Sequence, residues 1–121
     1  MWSDEPTLDP DTTARLAQLG GPGFVGDLLR LFEEHGALRV AAVESAAERM
    51  DLVAVRRGAH SLVSTAGNLG ARRLAALCTT LERAAATLDA PAVAALVPAL
   101  APAFAAARAE LARRLPVPAA A

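Results

Sequence analysis

An all-α fold, an antiparallel up-down-up-down four-helix bundle with a short extra N-terminal helix, is what this sequence predicts. Three observations predict it. The chain is 54% hydrophobic but only 3% aromatic, so its core has to be assembled from Leu, Val and Ala. Alanine has the best helix propensity and little apolar area, which suits closely packed helices, whereas a sheet draws on β-branched and aromatic residues. Apolar residues also recur at three- and four-residue spacing along most of the chain. Finally, the stretches between these runs are too short for crossover connections, so successive helices should alternate in direction. A length of 121 residues suits one domain with a single core.

The elements follow in order. Residues 1–8, "MWSDEPTL", read as a flexible N-terminus, and the bundle as residues 9–115. Asp9 before Pro10 is an N-cap with proline at the first helical position. That first helix carries Leu16 and Leu19 and stops at Gly20-Gly21. Pro22 opens a long second helix to about Met50, with Phe24, Leu28, Leu31, Phe32, Leu38, Val43 and Ala46 at helical spacing. Gly36 inside it is tolerable at a cost of about 1 kcal/mol. Asp51 caps a third helix whose inner face is Leu52, Val55, Ala59, Leu62, Ala66 and Leu69, ended by "GNLG" at 67–70. A fourth follows with Leu74, Leu77, Leu81 and Leu88 inward, and Cys78 as core packing. Asp89-Ala90-Pro91 starts the last, which Pro98 should kink or break near Val97 before it continues to about Leu115. The tail, residues 116–121, should fray.

Composition excludes several classes of function. Twelve basic residues, all arginine, against thirteen acidic ones leave a formal net charge of −1. Nucleic-acid binding wants a basic stripe, so no nucleic-acid partner is expected. Cys78 is the sole cysteine, which forbids an internal disulfide and suits a reducing compartment. The acidic start has no signal-peptide pattern. From Ala90 to Ala107 no residue is charged, but the run is largely alanine and contains Pro91, Pro98 and Pro102; a membrane span wants about 20 strongly apolar residues. A cytoplasmic, monomeric protein with no membrane association is expected.

His60 is the residue that stands out. At 100° per residue it lies roughly 130° from the centre of the third helix's apolar stripe, so it belongs on the rim or surface. Arg56, Arg57, Val63 and Ser64 are its neighbours at three and four residues, and Gly67 lies one turn further on. Small residues at 64 and 67 leave the imidazole open to a bulky partner, and an open ring can act as a nucleophile. The ordinary alternative is a solvated surface histidine. No His or Cys stands one turn away, so a metal site is not expected. His35, in "FEEHG" beside Glu33 and Glu34, reads as a solvated side chain.

The wider pattern gives His60 a role. From Gly58 to Glu82 the chain reads "GAHSLVSTAGNLGARRLAALCTTLE". It resembles the histidine-containing phosphotransfer (HPt) domain family of bacterial phosphorelays, whose pattern is A-H-x-L-K-G, a few small residues, L-G, and then a helix ending in L-E. Ala59, His60, Leu62, Leu69, Gly70, Leu74, Leu81 and Glu82 fall in place. Upstream, "LGGPGFVGDLLRLF" at 19–32 resembles the family's first inter-helix turn and second helix. The resemblance covers about 100 residues, from Leu8 to about Leu115. It implies that His60 is phosphorylated on Nε2, and that Glu82 stands where related domains place a polar group against the other ring nitrogen. A carboxylate there would keep the proton on Nδ1 and leave Nε2 the better nucleophile.

Two positions depart from the family pattern. Its lysine after His-x-Leu is Val63 here, and the next glycine is Ser64. Val63 offers no cation to phosphoryl oxygens, so compensation has to come from elsewhere. Arg56 and Arg57, one turn before His60, are candidate phosphate contacts, since arginine binds phosphate in bidentate fashion; ordinary surface charge is the alternative. Ser64 can bond back to the His60 carbonyl. Val63, Ser64 and Gly67 are expected to belong to a docking surface.

The resemblance implies a phosphocarrier that accepts a phosphoryl group on His60 from a receiver-domain aspartate or a kinase and passes it to another receiver. Its partners would be response-regulator receiver domains, a hybrid histidine kinase, or both. No G-x-x-x-x-G-K loop is present, so the chain is expected to be no enzyme. It is expected to hold no cofactor, with Mg²⁺ only on the receiver. The start methionine and the tail favour a free-standing domain. The alternative function is a degenerate HPt-like binding module that docks receivers without being phosphorylated.

Overall fold

A computed structural model describes residues 1–115, apart from the side chain of Pro22. The expected fraying at 116–121 lies outside the described residues. Among the described residues there are six α-helices: α1 (Pro10–Gln18), α2 (Gly21–Glu48), α3 (Leu52–Asn68), α4 (Arg72–Ala86), α5 (Ala90–Leu96) and α6 (Leu100–Arg114). A 3-10 turn at Val97–Ala99 joins the last two, which is the break expected at Pro98. No strand occurs among the described residues. α2 packs on α3 and α6, α3 on α4, and α4 on α5 and α6. These pairings close a ring around one core, and α1 packs on α2.

Capping chemistry explains where the helices start and stop. Three connections close in the same way: the amides of Asp51, Ala71 and Asp89 each bond a carbonyl five residues back, on Ala46, Ala66 and Ala84, at 2.9 Å. The residue before each has positive φ: Met50 at 58°, Gly70 at 74° and Leu88 at 58°. Asp51 and Asp89 then accept from the amides of Ala54 and Ala92, satisfying donors that a helix start leaves free. Ala71 has no such side chain, and the Pro6 carbonyl instead receives the Arg73 amide at 3.1 Å.

That bond belongs to a wider contact between the N-terminal segment and α4. Residues 1–8, expected to be flexible, lie along the start of α4. Glu5 pairs with Arg72 at 2.7 Å and its carbonyl accepts from Arg73 Nε at 2.8 Å. Leu8 is buried, and Trp2 packs against the core. Asp9 caps α1 as expected; hydrogen bonds from the Thr12 hydroxyl and the Asp11 amide hold its carboxyl below the usual range. Leu19 is exposed, and Thr13 is the α1 residue that is buried.

The core is Leu, Val and Ala, with the Phe32 and Phe104 rings tilted at 34° and 5.1 Å apart between α2 and α6. α3 buries Val55, Ala59, Leu62 and Ala66; α4 buries Leu74, Leu77, Cys78, Leu81 and Ala85. Burying a leucine as completely as Leu62 or Leu77 stabilises by about 2 kcal/mol. Burial also pushes the Cys78 thiol up to about 12, so it stays protonated at neutral pH.

On α2 the inner face differs in part from the expected one: Phe32, Val43 and Ala46 are buried as expected and Leu28 packs against the core. Val25, Leu29, Phe32, Val40, Val43 and Ala46 are buried, while Phe24 and Leu31 are exposed and Leu38 is 70% exposed. Two apolar stripes run along this helix about 100° apart, and periodicity cannot choose between them. The buried stripe contains Gly36, whose missing Cβ makes room for the Phe104 ring of α6. Gly36 is therefore a packing requirement, not a tolerated cost. Leu88, expected inward, is 71% exposed because it occupies the left-handed turn after α4.

Candidate functional site

α3 presents one face to the core and the opposite one to solvent. Val53, Arg57, His60, Ser64 and Gly67 are exposed, as the wheel of the buried residues requires. The His60 side chain is 73% exposed. Its backbone is set close to α2 by Gly58: a Cβ at that position would lie 2.5 Å from Val43 Cγ2.

α4 supplies the other half of the site. Leu81 is buried, and Glu82 next to it emerges at the α3–α4 boundary with its side chain 25% exposed. His60 Nδ1 lies 3.0 Å from Glu82 Oε1 and 3.2 Å from Oε2. An ionised carboxylate only accepts hydrogen bonds, so Nδ1 carries the hydrogen and donates it. The Nε2 lone pair is then left facing outward, away from the carboxylate. Partial burial of Glu82 restricts its rotamers, so the ring is held at a small cost in side-chain entropy.

An open hollow of about 430 Å³ adjoins the ring, lined by Val53, Arg56, Arg57, His60 and Glu82. The fold thus brings Arg56 and Arg57 together with His60 and Glu82. Neither arginine forms an ion pair among the described residues. Val63, Ser64 and Gly67 do not line this hollow. Val63 is half-buried against the core, and Ser64 and Gly67 are exposed on the turn beyond His60. Nothing lies within 4 Å of a Cβ built on Gly67. The bond allowed to Ser64 does not form among the described residues; the neighbouring Thr65 hydroxyl donates to the Ser61 carbonyl instead, at 3.1 Å.

Val53 is the lining residue that sequence reasoning missed. Its signal was present: 53, 57, 60 and 64 follow helical spacing on the solvent face. Among the described residues no three His, Cys, Asp or Glu side chains gather as metal ligands.

A family model for the Hpt domain matches residues 27–114. The chain belongs to the Hpt domain family. No curated protein matches the sequence. The fold is similar to the crystal structure of histidine-containing phosphotransfer protein B (HptB) from Pseudomonas aeruginosa PAO1, with 27% identity and a TM-score of 0.84 over 93% of this chain and 96% of that one. This Hpt chain is accordingly a phosphotransfer protein of the phosphorelay type, built as a helical bundle. Within it, Ala90–Arg114 is long and apolar enough to cross a membrane by length and composition. In the Hpt bundle that segment carries the buried residues Val93, Leu100, Phe104, Ala107 and Leu111.

Proposed function

We propose that this Hpt domain is a phosphocarrier whose acceptor atom is His60 Nε2. The observation that supports the reading best is the Nδ1–Glu82 pair at 3.0 Å on a ring that is 73% exposed. It combines a fixed tautomer with open access to the nucleophilic atom. In the transfer step the Nε2 lone pair attacks phosphorus, the phosphorus–oxygen bond of a receiver's aspartyl phosphate breaks, and the aspartate leaves as a carboxylate. The ring becomes an N-phosphoimidazolium that keeps its Nδ1 hydrogen, and Glu82 balances the charge. Return of the phosphoryl group to a second receiver reverses these steps.

The partners are receiver domains, with or without a hybrid kinase, and the receiver brings its own Mg²⁺. Ser64 and Gly67, small and exposed beyond His60, leave room for the receiver, with Val63 at the edge of its footprint. The chain acts as a monomer in the cytoplasm and turns over no substrate of its own. The same reading takes the ring α2–α3–α4–α6 as an antiparallel up-down-up-down bundle with α1 as the extra helix. Three-residue connections between α2 and α3, α3 and α4, and α4 and α5 support it.

The test is incubation with a panel of phosphorylated receiver domains. Acid-labile, base-stable label should appear on the wild-type chain and be absent from His60→Gln. Receiver binding without label would establish a docking module instead and overturn the carrier reading.

A further inference from the structure

We infer that Arg56 and Arg57 form the phosphoryl-oxygen clamp of this chain, gripping the group from the helical turn that precedes His60. The inference rests on the carrier reading and adds to it the residues that hold the transferred group.

Charge balance demands such a clamp. A phosphoryl dianion on Nε2 arrives beside a carboxylate already present, Glu82. The N-phosphoimidazolium contributes one positive charge, which Glu82 cancels. The two negative charges of the phosphoryl oxygens remain, in a hollow with the partly apolar wall of Val53. Nothing after the histidine on the same helix can meet them, because Ser61, Leu62, Val63 and Ser64 are all uncharged. The two arginines that line the hollow carry two positive charges between them.

Their availability is a second, independent observation. Arg30 pairs with Asp27, Arg72 with Glu5, and Arg113 and Arg114 with Glu110, while Arg15, Arg39, Arg83 and Arg108 have no carboxylate partner among the described residues but do not line the hollow. Arg56 and Arg57 have no carboxylate partner among the described residues, although Glu82 lines the same hollow. Glu82 is taken up by the imidazole through both oxygens. The carboxylate that orients the ring thus leaves the guanidiniums free for an incoming anion. Guanidinium offers two parallel N–H donors to phosphate oxygens. From positions four and three residues before His60, the pair stands on either side of the ring around the helix.

The test separates the clamp from docking. Phosphoramidate serves as a partner-free donor: its phosphorus–nitrogen bond breaks, ammonia leaves, and a new phosphorus–nitrogen bond forms at Nε2. The double variant Arg56→Ala/Arg57→Ala should be labelled about 100- to 1,000-fold more slowly than wild type, in the range for loss of a charge-stabilising group. Arg56→Lys/Arg57→Lys should recover much of the rate, and adding Val63→Lys to the double alanine variant should restore it in part. Circular dichroism should show unchanged helicity, because both side chains are exposed. Equal labelling of wild type and double alanine variant would discard the clamp and leave the carrier standing. Slow transfer from receivers alone, with normal phosphoramidate labelling, would make the arginines docking residues and likewise discard it. A wild-type chain that takes no label from any donor sinks the carrier reading and the clamp with it.

Discussion

His35 on α2 and His60 on α3 are both exposed, yet their surroundings have little in common. His35 has two glutamates as its nearest acidic neighbours in sequence, Glu33 and Glu34, and among the described residues it bonds to neither. Residues one and two apart on a helix point in different directions. The hollow beside it, about 390 Å³, is lined by residues of its own helix, Leu38, Arg39 and Ala42. His60 has no acidic residue nearby in sequence and is held by one twenty-two positions away, on α4. The tautomer of His60 is fixed by a group that a second helix supplies. Proximity along the chain does not do this.

The sharpest way to break the contrast is to exchange the histidines' fates. His35→Gln should leave phosphoryl labelling at the wild-type level, where His60→Gln should abolish it; equal losses in both would erase the distinction. Next in size is the orienting group. Glu82→Gln keeps the shape but weakens the hold on Nδ1–H, and should slow transfer about 10- to 100-fold, the usual cost of losing a group that positions a reactive side chain. Glu34→Gln should change nothing. If Glu82→Gln transfers normally, the carboxylate is not what aims the ring.

Glycines sharpen the comparison at the level of packing. Gly58→Ala would drive a methyl group into Val43 and should destabilise the fold by about 1–3 kcal/mol, read from denaturant midpoints. At Gly67, where a Cβ meets nothing, alanine should be neutral or stabilise by up to about 1 kcal/mol through helix propensity. The smallest effect is expected at Asp9. Its folded pKa lies below the unfolded one, so the stability it contributes is complete above the unfolded value, about 3.9, and disappears as pH falls through the folded value. Asp9→Ser keeps a capping oxygen without a titrating group. Melting curves at pH 7 and pH 3 should show a smaller acid-induced drop for that variant than for wild type.

Much of this was legible before any coordinates. Asp9-Pro10, Asp51 and Asp89-Pro91 mark helix starts because their side chains satisfy free amides locally, and Pro98 marks a break because its ring clashes with the turn before it. The inner faces of α3 and α4 followed from period alone, since each carries a single apolar stripe. α2 carries two, and the expected face mixed them: Phe32, Val43 and Ala46 are buried, while Phe24, Leu31 and Leu38 are exposed. The choice depends on Phe104 finding Gly36 and Val43 finding Gly58, contacts that no local pattern encodes. The contacts of the N-terminal segment were hidden for a similar reason: Pro6 and Glu5 gain their value only from the α4 start that lacks a cap of its own.

At the site the division is the same. Sequence by itself placed His60 on a solvent-facing helical surface, because helical period and the apolar residues around it leave no other orientation. It also brought Arg56 and Arg57 within a turn of the ring, since neighbours at three and four residues meet on any helix. Only the tertiary structure decided that Glu82 meets Nδ1, that Val53 closes the hollow, and that Val63 turns toward the core. Those outcomes depend on how α3 and α4 are set against each other. That setting comes from the fit of the buried face of α3, Val55, Ala59, Leu62 and Ala66, with that of α4, Leu74, Leu77, Cys78, Leu81 and Ala85, a property of two surfaces together and of neither alone.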